Sequence, residues 1–95
     1  GEGWSDFMAM ALLAREEDDP AGNTAFGAYS ARQFLGLAEN YYYGIRRYPY
    51  STNLAVHPLT LRDIDPAQAA SHPGVPRSPI IGNSANAVHN MGELW

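Results

Sequence analysis

Ninety-five residues at 45% hydrophobic and 17% charged describe a globular chain long enough for one small domain, not a disordered one. A formal net charge of −4 argues against nucleic acid or an anionic membrane as partner. With no cysteine there is no disulfide framework; no signal peptide is found, and no apolar run is long enough to span a bilayer. All six basic residues are arginine, and no function is drawn from that.

Taken in chain order, residues 3 to about 15 read as one helix, with Trp4, Phe7, Met8, Ala11 and Leu12 on a wide apolar face. A helix of this character is expected to be buried. It should stop at Arg15-Glu16-Glu17-Asp18-Asp19-Pro20, because acids oppose the dipole at a helix C-terminus and proline cannot continue it. The four acids fit no calcium-loop spacing and are expected to be a solvated helix end. From Thr24 to Tyr50 the signals mix: Phe26, Tyr29 and Phe34-Leu35 fit short strands or a second helix. Tyr41-Tyr42-Tyr43 has strand propensity and is closed by Gly44, and Pro49 makes the stretch around it irregular. Residues 51 to 83, with Pro58, Pro66, Pro73, Pro76 and Pro79, read as one long surface connection with a helical turn near Asp65 to Ala69. Asn83 or Ser84 then caps a last helix that places Val88, Met91 and Trp95 on one face. No internal repeat is present.

Glu2 and Asp6, four residues apart, fall on one face of the first helix about one turn from each other. Two carboxylates at the start of an apolar helix need partners. A metal and a metal-bound histidine would satisfy both, which makes the pair half of a zinc site. Each residue also has a plainer explanation: Glu2 as an N-terminal acid favoured by the helix dipole, Asp6 as a group bonded to local backbone.

Three segments carry a resemblance. Gly1-Glu2-Gly3-Trp4-Ser5-Asp6-Phe7 resembles the third-ligand segment of the fungalysin metallopeptidases, secreted zinc endopeptidases with a thermolysin-like catalytic domain. Gly44-Ile45-Arg46-Arg47-Tyr48-Pro49-Tyr50-Ser51-Thr52-Asn53, followed by Pro58-Leu59-Thr60 and Asp63-Ile64-Asp65, resembles the next segments of that family in the same order. Val88-His89-Asn90-Met91-Gly92-Glu93-Leu94-Trp95 resembles its later active-site helix. The resemblance implies a mainly α chain with long irregular connections, part of the helical half of a thermolysin-like catalytic domain. It divides residues 1–95 into a third-ligand helix (1–16), a substrate-cleft loop region (44–83) and an active-site helix (84–95).

It also implies roles. Glu2 resembles the zinc ligand and Asp6 the outer carboxylate that anchors a zinc-bound histidine. Arg46 resembles the arginine that holds a peptide carbonyl of the substrate, with Arg47 pointing to solvent or to an acid. His89 resembles the histidine that donates to the oxyanion. The carboxylate usual five residues before that histidine is replaced by Ser84, which leaves Asp63 or Asp65 to serve from the preceding loop. His57 and His72, beside or near prolines, are expected to be solvated loop residues.

The family's His-Glu-x-x-His, source of two zinc ligands and the general base, is absent, since no Glu follows His57, His72 or His89. The expectation is therefore a portion of a secreted zinc endopeptidase, acting on proteins or peptides and inactive without the remainder of its catalytic domain. Two rivals stand beside it: a non-catalytic, peptidase-derived binding or assembly module, and a ligand-binding surface on Tyr41-Tyr42-Tyr43 with Tyr48 and Tyr50.

Overall fold

The computed structural model describes residues 2–33, 36, 41–65, 72–81 and 92–94. Among these, two α-helices, α1 (Glu2–Leu13) and α2 (Ala28–Gln33), are joined by irregular chain with short 3-10 turns at Leu61–Ile64 and Gly92–Leu94. Extended pairing among the described residues is limited to one antiparallel bridge, Thr24 to Tyr50. The fold is thus mostly helical with little strand. No described helix is long and apolar enough to cross a membrane.

Helix α1 forms where the helix-compatible run predicts it and stops at Leu13, with Ala14 N–H donating to the Met10 carbonyl at 2.9 Å. The acids beyond it organise the exit. Asp18 Oδ2 accepts from Arg15 N, Asp19 Oδ1 accepts from Ala21 N, and Gly22 N donates to the Asp19 carbonyl. The next segment zips against residues 50–52. Thr24 and Tyr50 exchange both backbone bonds, and Thr52 N donates to the Pro20 carbonyl at 2.9 Å.

Burial on α1 reverses the sequence expectation. Gly3 and Asp6 face inward, whereas Trp4 and Met8 are half exposed and Leu12 is 79% exposed. The apolar face inferred from helical periodicity is therefore not the packed face; the packed face carries a small residue and a carboxylate, three positions apart.

The tyrosine run is not a strand. Residues 41–45 form a turn, because Gly44 has φ 66° and its α-carbon lies against the Phe26 backbone, where a Cβ would come within 1.9 Å of the carbonyl oxygen. Ile45 N donates to that same carbonyl. From this reversal the chain runs inward, and Arg46 through Tyr50 are all buried. Residues 51–81 are not wholly a surface connection either. Thr52 to Ala55 are exposed, but His57, Pro58, Leu59, Asp63 and Ser78 are buried, and Ser78 N donates to the Arg47 carbonyl at 2.8 Å. A 3-10 turn lies at Leu61–Ile64, and the helical turn expected near Asp65 to Ala69 falls largely outside the described residues. At the other end of the chain, α1 packs against the turn at Gly92–Leu94.

The interior is polar. Beside the buried apolar Ala31, Tyr48, Pro49, Tyr50, Pro58 and Leu59 it holds Asp6, Arg46, Arg47, His57, Asp63, Ser78 and Glu93. What fixes these elements relative to one another is paired charge.

Candidate functional site

Asp6 is 2% exposed, and its Oδ2 accepts two hydrogen bonds. Arg46 Nε donates at 2.5 Å and the Tyr50 hydroxyl at 2.8 Å. Arg46 spends a second donor, Nη1, on the Ile45 carbonyl at 3.1 Å, and its guanidinium lies 5.5 Å from the Phe26 ring centroid. Among the described residues no hydrogen bond engages Asp6 Oδ1 or Arg46 Nη2.

Burial works to lower the Arg46 pKa, but the hydrogen bond and charge of Asp6 outweigh it, so the guanidinium is held above its usual value. Burial, then the bond to Asp6, pushes the Tyr50 phenol up, so its proton stays on oxygen.

His57, 6% exposed, stacks on Tyr50 with ring centroids 5.8 Å apart and planes 17° from parallel. Its Nδ1 lies 2.9 Å from the Pro49 carbonyl, which can only accept, so Nδ1 donates and the neutral ring presents Nε2 as an acceptor. That Nε2 is buried and has no hydrogen-bond partner among the described residues. The solvated-loop expectation for His57 is therefore wrong; the bends that bring residues 48–50 inward carry the ring under Tyr50.

The second arginine closes a separate clamp. Arg47 donates from Nε to Glu93 Oε2 at 2.7 Å and from its backbone N to Oε1 at 3.2 Å, and its Nη2 lies 2.5 Å from Oε2. Both side chains are at least 96% buried. Of the two options in the sequence, solvent or an acid, Arg47 takes the acid.

His72 is also not a free loop residue. Its Nε2 lies 2.9 Å from Asp63 Oδ1, while Asp63 Oδ2 accepts from the Thr60 backbone N and hydroxyl. Burial would raise the Asp63 pKa, but the bonds from Thr60 and His72 outweigh it and hold the carboxyl below its ordinary value. Asp63, one of two residues suggested as support for His89, is thus bonded to a different histidine.

Glu2 is the first residue of α1, one helical turn before Asp6. His89 lies outside the described residues. The structure therefore brings Asp6 and Arg46 together as direct partners, a relationship the sequence did not announce. Tyr50, His57 and Glu93 were missed as structural partners; Tyr50 and Glu93 lie inside family-like segments, and His57 falls between two of them. No cluster of three metal-ligating side chains occurs among the described residues. A groove of about 1000 Å³ lies beside this network, lined by Phe7, Met10, Ala11, Tyr50, His57 and Leu94 among others, but neither Asp6 nor Arg46 faces it.

Comparison with known proteins now adds an independent line. The profile of the Fungalysin metallopeptidase family matches residues 1–95. An "Extracellular metalloproteinase mep" of Aspergillus fumigatus is 36% identical over 95 residues, all of this chain and 11% of that protein. An "Extracellular metalloproteinase 2" of Trichophyton tonsurans is 37% identical and a "Probable extracellular metalloproteinase 2" of Arthroderma benhamiae 38% identical, with the same shares covered. The chain thus spans about one ninth of the length of these relatives. No solved structure matches it significantly. A full-length family match and relatives above 30% identity, on a chain whose Asp6 and Arg46 meet in a buried pair, lead to one conclusion: the chain belongs to the fungalysin metallopeptidase family.

Proposed function

We propose that this chain forms one wall of the active site of a secreted zinc endopeptidase with a thermolysin-like catalytic domain. The single observation that carries the reading is the Asp6 carboxylate, buried one helical turn after Glu2, with Oδ2 held by Arg46 and Tyr50 and no bond to Oδ1 among the described residues. A buried carboxylate held through one oxygen fits the outer shell of a metal centre, where an acid receives the second N–H of a coordinating histidine. Glu2 would donate the one metal–ligand bond made by this chain. The other two ligands and the general base would come from a His-Glu-x-x-His outside it, so the chain alone would be inactive.

Zinc, when bound, supplies a Lewis acid and lowers the pKa of a water at its open position. This chain's residues do the rest of the work assigned to them. Arg46, anchored through Nε, would present Nη2 to a peptide carbonyl and hold the substrate in register. His89 would donate to the oxyanion that develops on the scissile carbonyl, worth about 2.7–4 kcal/mol of transition-state stabilisation. The exposed apolar residues of α1 (Trp4, Met8, Leu12 and Leu13) would be covered by the remainder of the domain. A non-catalytic assembly module would bury the same strip but would show no chelator-sensitive hydrolysis.

The test is hydrolysis of an internally quenched peptide by the intact protein that carries this segment. Activity should vanish with a chelator, return with zinc, and fall by at least 100-fold in His89→Ala on the scale of a lost oxyanion donor. Chelator-resistant activity, or none in a zinc-loaded intact protein, would overturn the proposal.

A further inference from the structure

We infer that Tyr50 is a positioning residue for the metal site, acting through Asp6; the inference rests on the reading of Asp6 as the anchor of a zinc-bound histidine. A carboxylate turns easily about its terminal torsion, whose rotamers are broad. One donor on one oxygen does not stop that rotation. Here two donors converge on the same oxygen, Arg46 Nε at 2.5 Å and the Tyr50 hydroxyl at 2.8 Å. Two donors on one oxygen restrain the carboxylate torsion more than one and distinguish its oxygens: Oδ2 is engaged, whereas no described residue bonds Oδ1.

Tyr50 is itself held rigidly enough to do this. Its backbone is bridged to Thr24 in both directions, its ring stacks on His57, and its edge meets Phe26 with centroids 6.2 Å apart. The His57 ring is in turn pinned by the Pro49 carbonyl. The phenol is 5% exposed at the residue level and touches no described acceptor other than Asp6. It is a neutral donor, so it orients the carboxylate without competing for its charge as a second cation would.

The experiment uses the intact protein with Tyr50→Phe and Asp6→Asn, reading the zinc dissociation constant by competition with a chelator alongside kcat and KM. Direct loss of an outer-shell partner weakens metal binding about 10–100-fold, the range expected for Asp6→Asn. Tyr50→Phe, one bond further out, should weaken zinc about 3–10-fold and lower kcat with KM nearly unchanged. p-Aminophenylalanine at position 50, which restores a donor, should recover most of the loss. If Tyr50→Phe binds zinc as tightly as wild type while Asp6→Asn does not, the inference fails and the Asp6 reading survives. If Asp6→Asn also keeps full zinc affinity, the site reading itself fails. A phenylalanine variant that cannot fold would likewise overturn the inference, by making the hydroxyl a folding requirement.

Discussion

Arg46 and Asp6 lie 40 positions apart in the chain, and their side chains meet at 2.5 Å with only 7% and 2% exposure. Breaking such a pair strands a charge in the interior, which costs about 3–5 kcal/mol, far more than the pair itself contributes over an apolar replacement. Arg46→Ala should therefore destabilise the intact protein by about that amount and raise KM for peptides. Arg46→Lys, which keeps the charge and loses the fork, should be milder in stability but as severe in KM. Urea unfolding and peptide kinetics on both variants check this.

The neighbouring clamp is predicted to act independently. Glu93→Gln leaves Arg47 buried without its counter-charge and should cost about 3–5 kcal/mol in urea unfolding. Replacing both partners with apolar residues of similar size, Arg47→Met with Glu93→Leu, should cost less than either single change. A strictly additive cycle would show that the two residues are not coupled.

Glycine positions separate strain from collision. Gly44 and Gly36 both have positive φ, 66° and 64°, but a Cβ at Gly44 meets the Phe26 carbonyl at 1.9 Å whereas nothing lies within 4 Å of one at Gly36. Gly36→Ala should cost only the left-handed penalty of about 1 kcal/mol. Gly44→Ala should cost severalfold more, measured as the difference in thermal unfolding between the two variants.

Acid should weaken the Asp63 contacts. Its folded pKa lies below the ordinary 3.8, so it contributes stability that is fully present above that value and disappears as pH falls through the lower folded value. Tyr50 gives the opposite sign at the alkaline end. Its raised pKa contributes stability that is present below about pH 10 and is lost as pH climbs toward the folded value. The stability gap between wild type and Asp63→Asn should be flat near neutrality and close below about pH 4. The gap for Tyr50→Phe should narrow only above about pH 10.

What the sequence made legible were local and family features. Helix α1 was visible because helix-compatible residues run unbroken up to an acid–proline stop, and the family was visible in three ordered segments. The packing of α1 was not, because its inward face is chosen by Asp6 meeting Arg46, a pairing across 40 positions with no local signature. Periodicity selected Trp4, Met8 and Leu12, which are exposed. The tyrosine run has β-propensity, but Gly44 reverses the chain there. Prolines around His57 and His72 suggested solvated loop, yet those bends carry one ring under Tyr50 and the other onto Asp63.

The central claim is that Glu2 coordinates a catalytic zinc ion one helical turn before Asp6. Zinc content and dissociation constant of the intact protein, wild type against Glu2→Ala, address it most directly. The account predicts one zinc per wild-type chain and a loss of affinity of at least about 100-fold in the variant, with the fold retained. A Glu2→Ala protein that holds stoichiometric zinc as tightly as wild type would contradict it.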